Sequence, residues 1–162
     1  KSRSRGLGDV YKRQDVQSMD NKQPNYISIP VYYSDETALD LDRFKGIGIS
    51  LAQIIELHTQ SVFTVSAIGF APGFAFLSDV PKALQMPRHK TPRTYVPAGS
   101  VAIADSKTAV YPSDSPGGWN IIGRTPISLF TDTPPFIPFE VGDKVTFGSI
   151  TKQEYINLGG KL

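Results

Sequence analysis

SVAIADSKTAVYPSDSPGGWNIIG, at residues 100–123, contains three short apolar runs (100–104, 108–112 and 119–123) separated by Asp, Ser, Pro and Gly. Side chains such as Val and Ile suit a pleated, half-buried surface, and the intervening residues are turn formers, so each run reads as a strand. Outward from this centre the texture repeats in SVFTVSAIG at 61–69, TPISLF at 125–130 and KVTFGSI at 144–150, giving five or six strands. A parallel α/β sheet would interleave helices of ten residues or more between them. Short strands at this spacing favour a closed or sandwiched antiparallel architecture.

Further upstream, Ile27, Ile29 and Val31 alternate with Tyr26, Ser28 and Pro30, the period of two expected of a strand with one buried face. Pro30 cannot donate to a ladder and places that strand at an edge. Leu39, Leu41 and Phe44, followed by Gly46 and Gly48, predict a brief helix with a glycine stop. A second helix is predicted from a capping box, Ser50 with Gln53, through Leu51, Ile54 and Ile55 to His58 on one face. The fold class expected is therefore mainly β, a barrel with one or two short helices over 26–150. Residues 15–25 read as a linker or the remnant of a truncated N-terminal domain, and 151–162 as a C-terminal tail.

Net charge misleads if taken whole. Residues 1–14 hold five of the seventeen Lys and Arg but one of the fifteen acids, so the remainder carries twelve bases against fourteen acids, or −2. That opening segment has no apolar run and reads as artefactual and non-native. With it set aside no basic stripe remains, which argues against nucleic-acid binding. No stretch approaches the roughly 20 apolar residues of a membrane helix. The absence of cysteine removes disulfides and thiolate chemistry and is compatible with a cytoplasmic location.

Four longer motifs follow in order: GFAPGFAFL at 69–77, PRHKTPRTYVPAGSVAIA at 87–104, VYPSDSPGGWNIIGRTPISLF at 110–130 and VGDKVTF at 141–147. Together they resemble the family that comprises KipI, the B-type subunit of 5-oxoprolinase and the first subunit of allophanate hydrolase, from about Tyr26 to Ile150. The resemblance implies a cyclophilin-like barrel. It also implies a non-autonomous subunit of an ATP-hydrolysing 5-oxoprolinase that opens 5-oxoproline to glutamate with C-type and A-type partner subunits. ATP would be shared with a partner subunit, and the resemblance leaves room for magnesium. Two alternatives come with it: a protein-binding inhibitor of a sporulation histidine kinase, and a carboxyltransferase-type domain related to urea carboxylase and allophanate metabolism. At 104–108 the sequence ADSKT departs from the family, which commonly has glycine near Asp105 and glutamine near Lys107.

Candidate binding residues lie in those motifs. Arg88, Arg93 and Arg124 present donor forks matched to carboxylate or phosphate, and convergence on one mouth would make an anion site; tying loops to carbonyls is the plainer alternative. Gly73, Gly99, Gly117 and Gly118 would let backbone N–H groups approach an oxyanion, or simply make turns. No P-loop or GxGxxG pattern is present. Phe74, Tyr111 and Trp119 could stack on a flat ligand and Ser100 and Ser115 could hydrogen-bond it, with Phe70 and Phe76 assigned to the core. His58 is expected to be a satisfied core histidine, and neither it nor His89 has a sequence neighbour that suggests a triad. No metal site is expected. Asp79, Asp105 and Asp114 are the acids near the motifs, and Asp114 reads as a turn former. Phe136, Ile137 and Phe139 would offer an exposed apolar face to a protein partner or close one end of the barrel.

Overall fold

The computed structural model describes residues 23–129 and 139–162. Among the described residues nine strands are present: β1 (Tyr26–Val31), β2 (Phe63–Ile68), β3 (Ala75–Ser78), β4 (Arg93–Val96), β5 (Ser100–Ala104), β6 (Lys107–Val110), β7 (Ser115–Gly117), β8 (Asn120–Arg124) and β9 (Lys144–Ser149). Seven of them form one sheet in the order β1-β9-β2-β3-β6-β5-β8, and β4 pairs with β7 in a separate ribbon. Beyond the last residue of β1, Tyr32 exchanges two backbone hydrogen bonds with Arg124 at the end of β8, at 2.8 and 3.1 Å. That bridge joins the two ends of the sheet, so the strand order closes into a barrel. Pro30 lies on a terminal strand of that order, as its missing donor requires.

Register shifts in β2, between Val65 and Ala67, and in β5, between Val101 and Ala102, place bulges on strands that must curve. Period-two alternation sends Val101 and Ile103 into the main core with Ile29, Val31, Phe63, Val65, Leu77, Ile122, Val145 and Phe147. The same alternation sends Ala102 and Ala104 to a smaller cluster with Ala109, Phe74, Tyr111, Trp119 and Ile121. β5 is thus buried along its whole length. Three small alanines, Ala102, Ala104 and Ala109, pack in the smaller cluster beside large rings.

Helix α1 (Leu41–Lys45) buries Leu41 and Phe44, and helix α2 (Leu51–Gln60) buries Ile54 and His58 and carries the expected Ser50–Gln53 capping box. A third helix, α3 (Lys152–Asn157), replaces the expected tail. Thr151 and Glu154 form its own capping box, and Tyr155 is 1% exposed, tilted against Tyr32 with ring centroids 5.5 Å apart. Three helices and a 3₁₀ turn (Lys82–Leu84) exceed the one or two expected.

Other corrections concern strands. The stretch 125–129 is irregular, because Pro126 removes a donor and the Thr125 hydroxyl instead accepts from the Ile127 N–H at 3.2 Å. β3, β4 and β7 lie inside motifs rich in Gly and Pro, where the sequence predicts loops. Phe139 is partly buried against the main core; Phe136 and Ile137 lie outside the described residues, as does the segment 1–14. No described helix is long and apolar enough to cross a membrane.

Candidate functional site

A pocket of about 720 Å³ opens beside Ala104 and the aromatic rings of the smaller cluster, within the size range typical of small-molecule sites. Phe74 sits at its base, fully buried, with edge-on contacts to Phe76 (5.0 Å between centroids), Trp119 (5.6 Å) and Tyr111 (5.8 Å). Such T-shaped pairs align positive ring edges with negative faces and fix the rings relative to each other. Arg88 and Pro92 come from the loop before β4, Asp105 and Ser106 from the β5–β6 turn, Lys107 from the start of β6, and Gly117 and Gly118 from the last residue of β7 and the one after it. The Lys107 ammonium donates to the Ser78 hydroxyl at 2.8 Å. Arg88 is exposed and has no hydrogen bond or ion pair among the described residues.

Gly117 is required by packing. A Cβ there would stand 2.2 Å from the Tyr111 hydroxyl. Burial pushes the Tyr111 phenol upward, opposed by the Trp119 backbone N–H that donates to its oxygen and by the charges of Arg88 and Arg93. The net rise keeps the phenol protonated, so it faces the ligand space as a neutral hydroxyl.

The loop that carries Arg88 is pinned from below. Asp40, with its side chain 3% exposed, accepts from both terminal nitrogens of Arg93 (2.7 and 2.8 Å), from the Ile121 N–H (2.7 Å) and from His89 Nε2 (2.7 Å). Burial pushes this carboxyl up, but the Arg93 and Ile121 hydrogen bonds and the charges of Arg93 and His89 outweigh it and hold it below the usual range. Asn120, also buried, donates to the carbonyls of Met86, Pro87 and Ile103, and accepts from Arg43. The His89 N–H then reaches the Gly118 carbonyl at 2.8 Å, joining the two walls of the pocket.

Of the residues expected at a site, Phe74, Arg88, Tyr111, Gly117, Gly118 and Trp119 line this one pocket. The three arginines do not converge. Arg93 is committed to Asp40, a partner 53 residues earlier in the chain. Arg124 lies in a different groove with Gly99 and the 159–162 segment, donates to the Lys161 carbonyl at 3.1 Å, and has a buried Nε without a partner among the described residues. Ser100 is fully buried and donates to the Pro97 carbonyl at 2.7 Å; Ser115 donates to its neighbour Pro116. Gly99, at φ +86, packs where a Cβ would meet the Thr125 carbonyl at 2.5 Å, a structural need. Gly73, at φ +82, makes the turn before β3. Asp114 accepts from the Ala98 N–H at 2.7 Å, so it ties its loop to the segment before β5, a long-range contact and not the local turn bond expected of it.

Sequence reasoning missed Lys107 and Phe70. Phe70, assigned to the core, is 73% exposed at the pocket rim with φ +72, a conformation that costs a non-glycine residue about 1–3 kcal/mol. The signal was available in part: Phe70 lies between Gly69 and Ala71-Pro72-Gly73, a setting for a turn more than for a core strand.

This mainly-β barrel with a ring-lined outer pocket defines the class of protein, because residues 4–137 match the family described as carboxyltransferase domain, subdomain C and D, and the chain belongs to that family. The matched range begins inside the opening segment that the sequence reading sets aside. Among its curated relatives is the B-type subunit of 5-oxoprolinase from Bacillus subtilis (strain 168), 42% identical over 132 residues, covering 80% of this chain and 55% of the relative. The corresponding 5-oxoprolinase subunit from Haemophilus influenzae is 43% identical over 128 residues, covering 77% and 60%. The chain therefore spans little more than half the length of these relatives. A crystal structure of a Pyrococcus horikoshii protein superposes with a TM-score of 0.74 at 38% identity, over 88% of this chain and 66% of that one. The urea carboxylase of Kluyveromyces lactis shares the fold, with a TM-score of 0.62 at 19% identity over 83% of this chain and 14% of the enzyme. The family expected from the four motifs and the mainly-β barrel both hold.

Proposed function

We propose that this chain supplies the substrate-holding barrel of a B-type 5-oxoprolinase subunit, acting with C-type and A-type partners in ATP-dependent opening of 5-oxoproline to glutamate. The observation that carries the reading is the pocket itself: a floor of aromatic rings with two cationic side chains, Arg88 and Lys107, on its lining. Further support comes from the 42–43% identity to the 5-oxoprolinase relatives.

The chemistry asks for such a division of labour. A lactam is an unactivated amide; moving the terminal phosphoryl of ATP onto its oxygen, with ADP released, makes the ring carbon electrophilic enough for water to add. The ring nitrogen then leaves as the amine, and hydrolysis of the resulting acyl phosphate gives glutamate and phosphate. The pocket residues serve binding and charge neutralisation, Arg88 by a bidentate fork and Lys107 as a point charge. Two cations suit a monoanion better than a triphosphate, and we assign ATP, with any magnesium, to a surface shared with the partner subunit. Asp105 is the one carboxylate on the lining.

The test is reconstitution with both partners, following 5-oxoproline-dependent ATP hydrolysis. Arg88→Ala is expected to lower kcat/KM by about 10- to 100-fold, the loss of one charge-assisted contact of about 1.5–3 kcal/mol, with an unchanged thermal midpoint. Absence of turnover in the assembled wild-type complex would overturn the reading. The carboxyltransferase alternative has its own support in the family description and in the urea carboxylase fold, and would show as bicarbonate-dependent rather than 5-oxoproline-dependent turnover.

A further inference from the structure

Phe70 belongs to neither buried cluster of the barrel. It projects from a tight turn closed by three backbone hydrogen bonds: Gly69 N–H to Phe74 O (3.2 Å), Ala71 N–H to Gly69 O (2.9 Å) and Phe74 N–H to Ala71 O (3.0 Å). These bonds hold it at φ +72, in the left-handed region that a bulky side chain disfavours. The ring is 73% exposed, yet stands edge-on to Phe74, the base of the pocket, at 5.2 Å between centroids. An exposed, strained aromatic at the mouth of a ring-lined pocket is unfinished packing: a flat guest entering the pocket would cover it. Across the opening stand Trp119, the cation Arg88, and Lys107 held to Ser78.

We propose that Phe70 is the specificity-determining residue of this pocket, closing over a small ring-shaped carboxylate whose ring lies among Phe70, Phe76 and Trp119 and whose carboxylate meets Arg88 and Lys107. The assignment rests on the pocket being the functional site. It goes further in naming the residue that selects the ligand. A ring without charge would lose the cations, and an acyclic carboxylate would lose the aromatic wall. Both features must be present in one ligand for tight binding.

Trp119 is the single tryptophan of the chain, so its emission reports on this pocket directly. The experiment titrates 5-oxoproline, 2-pyrrolidinone and glutarate into the protein and its Phe70→Gly and Phe70→Leu variants, following Trp119 fluorescence. Glycine suits φ +72, so Phe70→Gly is expected to match or exceed the wild-type thermal midpoint while weakening 5-oxoproline binding at least tenfold. Phe70→Leu, which keeps bulk but no ring face, should fall between. The two single-feature ligands should bind at least tenfold more weakly than 5-oxoproline to the wild type; Phe70→Gly should weaken 2-pyrrolidinone further, because its ring uses the same aromatic wall, and should leave glutarate little changed. Equal 5-oxoproline affinity in wild type and Phe70→Gly would overturn the proposal, as would equal binding of all three ligands. Saturable quenching by 5-oxoproline that Phe70→Gly abolishes would uphold it even if the assembled complex showed no turnover. Turnover with a Phe70-independent affinity would defeat it and leave the oxoprolinase reading standing.

Discussion

Asp40→Ala is expected to lower the unfolding free energy by about 3–5 kcal/mol, a large fraction of what holds an ordinary domain together. The carboxylate is buried and accepts four hydrogen bonds, three of them from the charged or ring donors Arg93 and His89. Removing it strands the Arg93 guanidinium, whose raised pKa is owed first to its Asp40 hydrogen bond, and leaves the buried Ile121 N–H without an acceptor. Urea unfolding followed by circular dichroism measures the loss. Arg93→Ala should cost less, since the carboxylate keeps His89 and Ile121, and a double-mutant cycle should return a coupling of about 1 kcal/mol or more. A loss under about 1 kcal/mol for Asp40→Ala would show that the node does not organise the loop beneath Arg88.

The second large effect is acid sensitivity from one buried ring. His58 is wholly enclosed, 4.3 Å from the Phe147 centroid and 5.2 Å from Phe63. Its hydrogen bonds fix the tautomer: Thr108 donates to the Ala102 carbonyl (2.8 Å), so it must accept from Nε2–H (3.0 Å), and Nδ1 accepts from the Tyr33 hydroxyl (2.6 Å). Burial pushes the His58 pKa from 6.5 down to about 3, and it raises that of Tyr33. Between those two His58 values the unfolded chain binds a proton that the folded chain refuses. The stabilisation is complete above pH 6.5 and is lost as pH falls toward 3, at a slope of about 1.4 kcal/mol per pH unit. His58→Gln carries no titrating group, so the difference between its stability–pH curve and that of the wild type should have this slope from about pH 6 to 4. Parallel curves would mean that the ring accepts a proton while folded.

How much of this was legible beforehand follows from where each interaction lies along the chain. Local chemistry was readable: the Ser50–Gln53 capping box, the alternation in β1 and the β-branched runs of β2, β5, β6, β8 and β9 all depend on neighbours a few residues apart. β3, β4 and β7 were hidden because Pro72, Gly73, Pro97, Pro116 and Gly117 surround them with turn signals, while the partners that hold them extended lie elsewhere in the sequence. Thr151 and Glu154 did spell out a capping box, but a short segment at the end of the chain has too little periodicity to announce a helix. At the site, the ring cluster was largely foreseen from Phe74, Tyr111 and Trp119. The arginines were not sorted, since Arg93 and Asp40 are far apart in sequence and a guanidinium bound to a buried carboxylate reads the same as a free one. Phe70 was misplaced because a hydrophobic residue defaults to the core.

In the proposed function a small anion meets the barrel in the aromatic pocket, and backbone amide chemical shifts recorded during a 5-oxoproline titration test this most directly. The expected result is saturable perturbation concentrated at residues 69–76, Arg88, 105–107 and 117–119, with the Gly99 and Arg124 groove unmoved. Perturbation centred on Gly99, Arg124 and Lys161 instead, or no saturable shift in the aromatic pocket, would contradict it.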